Sequence, residues 1–531
     1  MGNIAVSELA YAHPGGELLF NDVSFRVVGA RHAALVGVNG IGKSTLMRIM
    51  AGELEPIEGA VARGGRVAYM SQSGGEGETV RELLLAAAPS ALRAAGQRLL
   101  NAERAAAEGD EAAGLEIGEA IGDWSELGGY ELEGRWDAAC RRIGLGGLAE
   151  VGDRPALSLS GGERKRLVLA ALFDSDAEIL LLDEPDNFLD IPAKRELETT
   201  IRQTRKTVLI VSHDRELLAG ASDMVITLEG DGAWVHGESY ASYKQAREHR
   251  QQLLGDRLER WQREERRLFQ LMKTLKERAR YYDGWAKRAD AAETRWRRFV
   301  DAGPPPPPVA NRQIRPRLRG GDSARRVILV RETSIDGLVE PFGEEVYFGE
   351  RVGLIGPNGA GKTSLMRLLA DADTAADADP TSAVTLGNRV SAGLFTQLNR
   401  RAEFDSAIVL DVVLARVGGF ERAMSALARY ELQGTARQSC STLSGGQRAR
   451  LEILCLELDG HNLLLLDEPT DNLDLDSCEA LEHALDGFEG TVVVASHDRA
   501  FLRTLDRFLL FRADRRVVRV PDAESAIAQL A

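Results

Sequence analysis

The chain carries the same phosphate-binding kit twice, and that repeat constrains the fold more than any other feature. Gly37-Val38-Asn39-Gly40-Ile41-Gly42-Lys43-Ser44 and Gly356-Pro357-Asn358-Gly359-Ala360-Gly361-Lys362-Thr363 both space their glycines as a phosphate loop requires. Each is followed, in one order, by a lone glutamine, a Leu-Ser-Gly-Gly segment, an apolar run closing on Asp-Glu-Pro, and Ser-His-Asp-Arg. Ser160 and Ser444, Asp183 and Asp467, and His213 and His497 all lie 284 residues apart. Three motifs in one register mean a duplicated domain, since chance matches would not keep step.

The apolar runs fit an α/β fold. Ala33–Val36 delivers the chain into the first loop, and Lys43 opens a helical pattern, which is the strand–loop–helix context a phosphate loop needs. Ile179–Leu182, Val208–Val211, Val352–Ile355, Leu463–Leu466 and Val492–Ala495 are wholly apolar and strand-length, as buried parallel strands are. The stretch between Gln72 and Ser160 has helical spacing and is about 41 residues longer than its counterpart between Gln397 and Ser444.

Residues 241–311 have another texture. Leu254, Leu258, Trp261, Leu268, Met272 and Leu275 follow a 4-3 alternation broken by Glu265; Trp285, Ala289, Ala292, Trp296 and Phe299 resume it. Two heptad stretches joined by Tyr282-Asp283-Gly284 predict an antiparallel helical hairpin, and Pro304–Pro308 then form a stiff extended tether. The spacing of Arg312, Arg315, Arg317 and Arg319 predicts the first strand of the second repeat. The expected domains are therefore 1–240, 241–311 and 312–531.

Charge is uneven. The chain carries a net −15, yet residues 241–311 hold 17 Lys and Arg against 10 Asp and Glu. A basic island in an acidic protein fits one localised polyanion contact; a solvated charged spacer is the alternative. Lys273, Lys276, Arg278, Arg280, Lys287 and Arg288 crowd the expected tip with Tyr281, Tyr282 and Trp285 among them, cations for phosphate and rings for unpaired bases. Trp285 falls on the heptad seam and packs the hairpin; Tyr281 and Tyr282 are the stacking candidates. No apolar run reaches the length of a membrane helix, the N-terminus lacks a secretory pattern, and the four cysteines have no metal-ligand spacing, which together predict a cytoplasmic location.

Glycines let successive backbone amides point at phosphate oxygens, and the following helix start adds its dipole. Gly37, Asn39, Gly40, Gly42, Lys43, Ser44 and Thr45, with Gly356, Asn358, Gly359, Gly361, Lys362, Thr363 and Ser364, are thus candidate ATP-binding residues. Ser44 and Thr363 are candidate Mg²⁺ ligands, joined by Asp183 and Asp467 at strand ends and by Gln72 and Gln397. Glu184 and Glu468 are the candidate bases for the attacking water, and His213 and His497 are suited to hydrogen-bond a γ-phosphate. Ser160-Gly161-Gly162 and Ser444-Gly445-Gly446 offer amides and a hydroxyl at a helix start, a second anion cradle.

These residues together resemble the ATP-binding cassette family, whose signature segment closes over a nucleotide held by the opposite domain. The resemblance implies that ATP is sandwiched between Lys43, Glu184 and Ser444, and between Lys362, Glu468 and Ser160, and that Tyr11 stacks on adenine. The linker, the lack of a membrane segment, Gly237–Tyr243 and Asp467–Asp474 (Asp-Glu-Pro-Thr-Asp-Asn-Leu-Asp) resemble the ABC-F subfamily. Its members are two tandem ABC-type P-loop NTPase domains joined by an antiparallel α-helical hairpin. By resemblance the chain is an ATP hydrolase that works on the ribosome, its hairpin meeting rRNA and tRNA, as a translation regulator or an antibiotic-protection protein. A monomer whose cassettes form an intramolecular dimer is expected. The energy subunit of an exporter is the rival reading. Asp186 and Phe188 stand where the family has Thr and His, beside Glu184, so the two sites are expected to differ in rate.

Overall fold

The computed structural model describes the chain apart from residues 1, 17, 73–76, 109–112, 231, 310–313, 336, 373–382, 397–403, 405 and 531. It forms two compact units: Met1–Gly237 with Arg312–Ala531, and Glu238–Asn311.

In the larger unit the apolar runs became two six-stranded sheets of identical order. The first runs Val67–Met70, Ile179–Asp183, Thr207–Val211, His32–Val36, Met224–Glu229, Gly232–His236, and only its last pair is antiparallel. The second runs Ala392–Phe395, Leu463–Asp467, Thr491–Ala495, Arg351–Ile355, Arg507–Phe511, Val517–Val520. Every residue of Ile179–Asp183, Thr207–Val211, Leu463–Asp467 and Thr491–Ala495 is buried, because helices cover both sheet faces. Each cassette adds a three-stranded antiparallel sheet, Leu18–Val28, Asn3–Ala12 and Glu58–Arg63 in the first. The long stretch before Ser160 folds as helices Val80–Ala86, Ser90–Ala107, Ala113–Glu126 and Gly129–Arg142. They pack around Trp124 and Trp136, whose rings are 6.4 Å apart.

The arginine run after the prolines is not a strand. Residues 314–325 have no regular structure, and the strand starts at Arg326. Ile314 and Leu318 anchor this segment in the second cassette's core, and Arg315 and Arg317 donate their amides to the Arg429 carbonyl and Glu457 carboxylate. Arg312 lies outside the described residues.

The smaller unit is the hairpin. Helix Tyr240–Ala279 runs out, a short turn at Asp283–Trp285 reverses the chain, and helix Ala286–Asp301 returns. Leu254, Leu268, Met272, Ala289 and Ala292 are buried in the seam. Trp261 stacks on Phe299 at 5.3 Å and Phe269 meets Trp296 at 5.5 Å. Glu265, the polar break in the heptads, has a reason: it accepts a hydrogen bond from Trp296 Nε1 at 3.0 Å. The turn caps itself with Trp285, flanked by the guanidinium groups of Arg278 and Arg288 at 5.3 and 5.0 Å. After the prolines, the Val309 amide donates to Gln251 Oε1 at 2.8 Å.

Candidate functional site

Three neighbouring parallel strands deliver the motifs to one sheet edge in each cassette. His32–Val36 leads to the phosphate loop, Ile179–Asp183 ends on Asp183 and Glu184, and Thr207–Val211 precedes Ser212 and His213. The carboxyl ends of parallel strands are where such sheets take ligands.

The loops keep positive φ at Gly40 (83°) and Gly42 (102°), and at Gly359 (77°) and Gly361 (98°). A Cβ on Gly42 would lie 2.8 Å from Leu19 Cδ2, so a side chain there would have to displace Leu19 as well as hold a left-handed backbone. Lys43 Nζ donates to the Gly37 and Val38 carbonyls at 2.7 and 3.3 Å; Lys362 Nζ matches it on Gly356 and Pro357 at 2.8 and 2.9 Å. Burial lowers the affinity of both ammonium groups for their protons, opposed by Glu184 for Lys43 and by Glu468 for Lys362. A phosphate would relieve the same penalty. Ser44 and Thr363 open the loop helices and hydrogen-bond Asp183 and Asp467. Burial raises both aspartates, and Asp183 Oδ1 has no hydrogen-bond partner. A hydroxyl beside an orphaned, buried carboxylate oxygen suits Mg²⁺. Thr45 and Ser364 follow in the same helices.

Both glutamates sit in left-handed backbone, φ 49° in each, an arrangement that ordinary residues adopt at a cost. The Glu184 carboxylate accepts from Gln72 Nε2 and Asn187 Nδ2, each at 2.6 Å, and His213 Nε2 approaches it at 3.5 Å. Glu468 accepts the His497 amide at 3.0 Å, and His497 Nε2 meets Asn358 Oδ1 at 3.1 Å. Burial, then the charges of Lys362 and Lys194, hold His497 well below its ordinary value, hence neutral. Gln397 lies outside the described residues.

Ser160 and Ser444 cap helices Gly161–Asp174 and Gly445–Asp459 through capping boxes with Glu163 and Gln447. The Ser160 hydroxyl already donates to Glu163 at 2.7 Å. These segments stand opposite the other cassette's phosphate loop. Asn39 Nδ2 donates to the Asn472 carbonyl at 2.9 Å, and Asn358 Nδ2 to the Phe188 carbonyl at 2.8 Å. A Cβ on Gly446 would lie 2.7 Å from Asn39 Nδ2, and one on Gly162 3.4 Å from Asn358 Nδ2. Arg215 with Glu482 and Arg499 with Glu198 tie the cassettes on either side of this seam.

One residue is misplaced for its expected role. Tyr11 is buried among core side chains, its ring against Phe20 and His13, and it offers no open face to a base. Register shifts along Asn3–Ala12 leave Leu9, Ala10 and Tyr11 buried in succession, and the exposed ring at this end is His13. Sequence reading also missed Asn187, Lys165 and Lys194, which look like surface residues of loops and helices. Comparing each with its partner 284 residues on would have flagged them.

Comparison with known proteins agrees with this geometry. The family model described as ABC transporter matches residues 20–187 and 340–471. A Mycobacteroides abscessus protein described as an antibiotic resistance protein is 42% identical, over 97% of this chain and 98% of its own length. The tylosin resistance ATP-binding protein TlrC of Streptomyces fradiae is 33% identical, over 91% and 92%. Among solved structures, the complex of archaeal ribosomal stalk protein aP1 with the ribosome recycling factor aABCE1 matches with TM-score 0.55 at 19% identity. It covers 98% of this chain and 91% of the other, a likeness of fold.

Proposed function

The chain belongs to the ATP-binding cassette family, in its ABC-F branch, and we propose that this ATPase acts on the ribosome as a monomeric, cytoplasmic clamp. The observation that carries the reading is the basic hairpin, whose tip exposes Tyr281 and Tyr282 at 82% and 68%. These exposed rings follow Arg280 directly in the chain, between Lys273 and Lys287, which are exposed as well. The structure narrows the candidate cations: Lys276 pairs with Glu293 at 2.8 Å, and Arg278 and Arg288 serve Trp285. No helix among the described residues is long and apolar enough to cross a membrane. Two relatives bear names that speak of antibiotic resistance, which supports a protective role over translation regulation.

At each site the loop amides and Lys43 or Lys362 bind the triphosphate, and Glu184 or Glu468 orients water and takes its proton at a carboxylate oxygen. Ser44 with Asp183, and Thr363 with Asp467, would hold Mg²⁺, which supplies charge neutralisation at the β- and γ-phosphates. Ser444 and Ser160 cover the nucleotide from the opposite cassette, so ATP favours closure and its cleavage favours opening.

Replacing both glutamates, Glu184→Gln with Glu468→Gln, tests this. ATP binding should persist, turnover should vanish, and the protein should co-sediment with ribosomes in ATP; recovery only with membranes, or in neither fraction, overturns the proposal. Neutralising Lys273, Arg280 and Lys287 should weaken that association. Expression in a susceptible bacterium separates the roles: a raised inhibitory concentration for a ribosome-directed drug marks protection, and ribosome binding without it marks regulation.

A further inference from the structure

From Ser160 to Arg215 the 284-residue register gives each residue of one cassette a counterpart in the other, and among the buried positions whose counterparts differ in kind three carry a charge in the first cassette alone. Lys165, Asp186 and Lys194 correspond to Ala449, Thr470 and Cys478, and all six are buried. Lys165 Nζ donates to the Glu184 carbonyl of its own cassette at 2.8 Å. Lys194 Nζ crosses the seam. It lies 3.2 Å from Asp214 and donates at 3.3 Å to the carbonyl of His497.

That carbonyl belongs to a residue already held on two sides, by its amide on Glu468 and its ring on Asn358. Lys194 supplies the third hold, and it is the one that comes from the other cassette. The charges of Asp214, Asp186, Asp471 and Asp498 all act on the ammonium, with Arg499 3.6 Å from Asp214 and Arg215 3.7 Å from Asp498. A buried ammonium between carboxylates keeps its charge and its place. The first site lacks this brace. The Cys478 thiol turns back to the Thr470 and Leu473 carbonyls at 3.7 and 3.8 Å, and the His213 ring approaches the Glu184 carboxylate of its own cassette at 3.5 Å.

We propose that Lys194 is a positioning residue of the second ATP site, fixing the His497 backbone from the opposite cassette so that closure completes this site in a way it does not complete the first. The inference rests on the reading that Glu184 and Glu468 are the two bases.

ATPase assays of Lys194→Met in two backgrounds test it. With Glu184→Gln, where the second site alone turns over, the rate should fall roughly tenfold; with Glu468→Gln it should change less than about twofold. Equal losses in both backgrounds, or none in either, overturn the proposal. Losing the ammonium alone leaves carboxylates unbalanced, so the charge-conserving pair Asp186→Thr with Lys194→Cys, which installs the second cassette's own residues, should reproduce the one-sided loss. A second readout does not need turnover. In ATP and Mg²⁺, the His497 imidazole resonance, assigned by His497→Gln, should move in Lys194→Met and return in Lys194→Arg; an unmoved resonance overturns the proposal. If His497 moves while each Glu→Gln background retains the full wild-type rate, Lys194 stands and the assignment of the glutamates falls.

Discussion

The side-chain amide of Asn187 donates to the Glu184 carboxylate at 2.6 Å, whereas the matching residue in the second cassette, Asp471, sets a carboxylate beside Glu468. Burial pushes Glu184 up, but His213, Lys43 and Gln72 outweigh it and hold the group down at about 2. Burial and Asp471 together push Glu468 up to about 8. A base accepts a proton only when ionised, so turnover at the second site should fall as pH drops through about 8, while the first keeps its base ionised far below. Asp471→Asn in the Glu184→Gln background should move that acid limb to lower pH, and Asn187→Asp in the Glu468→Gln background should move its limb up. Superimposable pH–rate profiles would refute the assignment.

Gly446 has no room for a methyl group, with Asn39 Nδ2 at 2.7 Å and the Asn472 carbonyl at 2.8 Å from a Cβ built there. Gly446→Ala should therefore cut turnover at the Lys43 site by about a hundredfold. Gly445→Ala, whose nearest neighbour is Asn472 Oδ1 at 3.2 Å, should be milder. Steady-state ATPase assays in the Glu468→Gln background, which isolates the Lys43 site, would show the order.

Phe188 stands at φ 66°, where its counterpart Asn472 stands at φ 65°. Asparagine visits this region readily and phenylalanine does not, so Phe188→Asn should raise stability by about 1 kcal/mol. The ring is 47% exposed, and little packing is lost with it. Urea unfolding should show a higher midpoint for Phe188→Asn and a lower one for Asn472→Phe.

Glu265→Leu would leave Trp296 Nε1 without its acceptor inside the hairpin and should destabilise the unit by about 1 kcal/mol. Glu265→Gln keeps an oxygen there and should be nearly neutral. Hydrogen exchange along Tyr240–Ala279 would report the difference; equal protection in both variants would make the bond irrelevant.

What could be read from residues alone was whatever local pattern decides. The apolar runs ending at Asp183 and Asp467 became central strands because burial on both faces leaves no polar position. The heptads around Trp261 and Phe299 became a seam. What escaped was decided at long range. Tyr11 resembles a free ring until register shifts fold it inward, and the alternating arginines mimic a strand although Ile314 and Leu318, four apart, are what the core takes. Lys194 reads as an ordinary helix charge, because the groups that keep it buried, Asp214 and the His497 carbonyl, lie 20 and 303 positions away.

The five prolines after the hairpin meter a length. Proline has no amide hydrogen to leave unpaired, so Pro304–Pro308 can run without hydrogen-bond partners until Val309, whose amide docks on Gln251. In extended form each proline adds about 3 Å. Deleting one would let Val309 fall short of its dock by as much, and adding one would carry it past, so the count of five is itself a dimension of the machine.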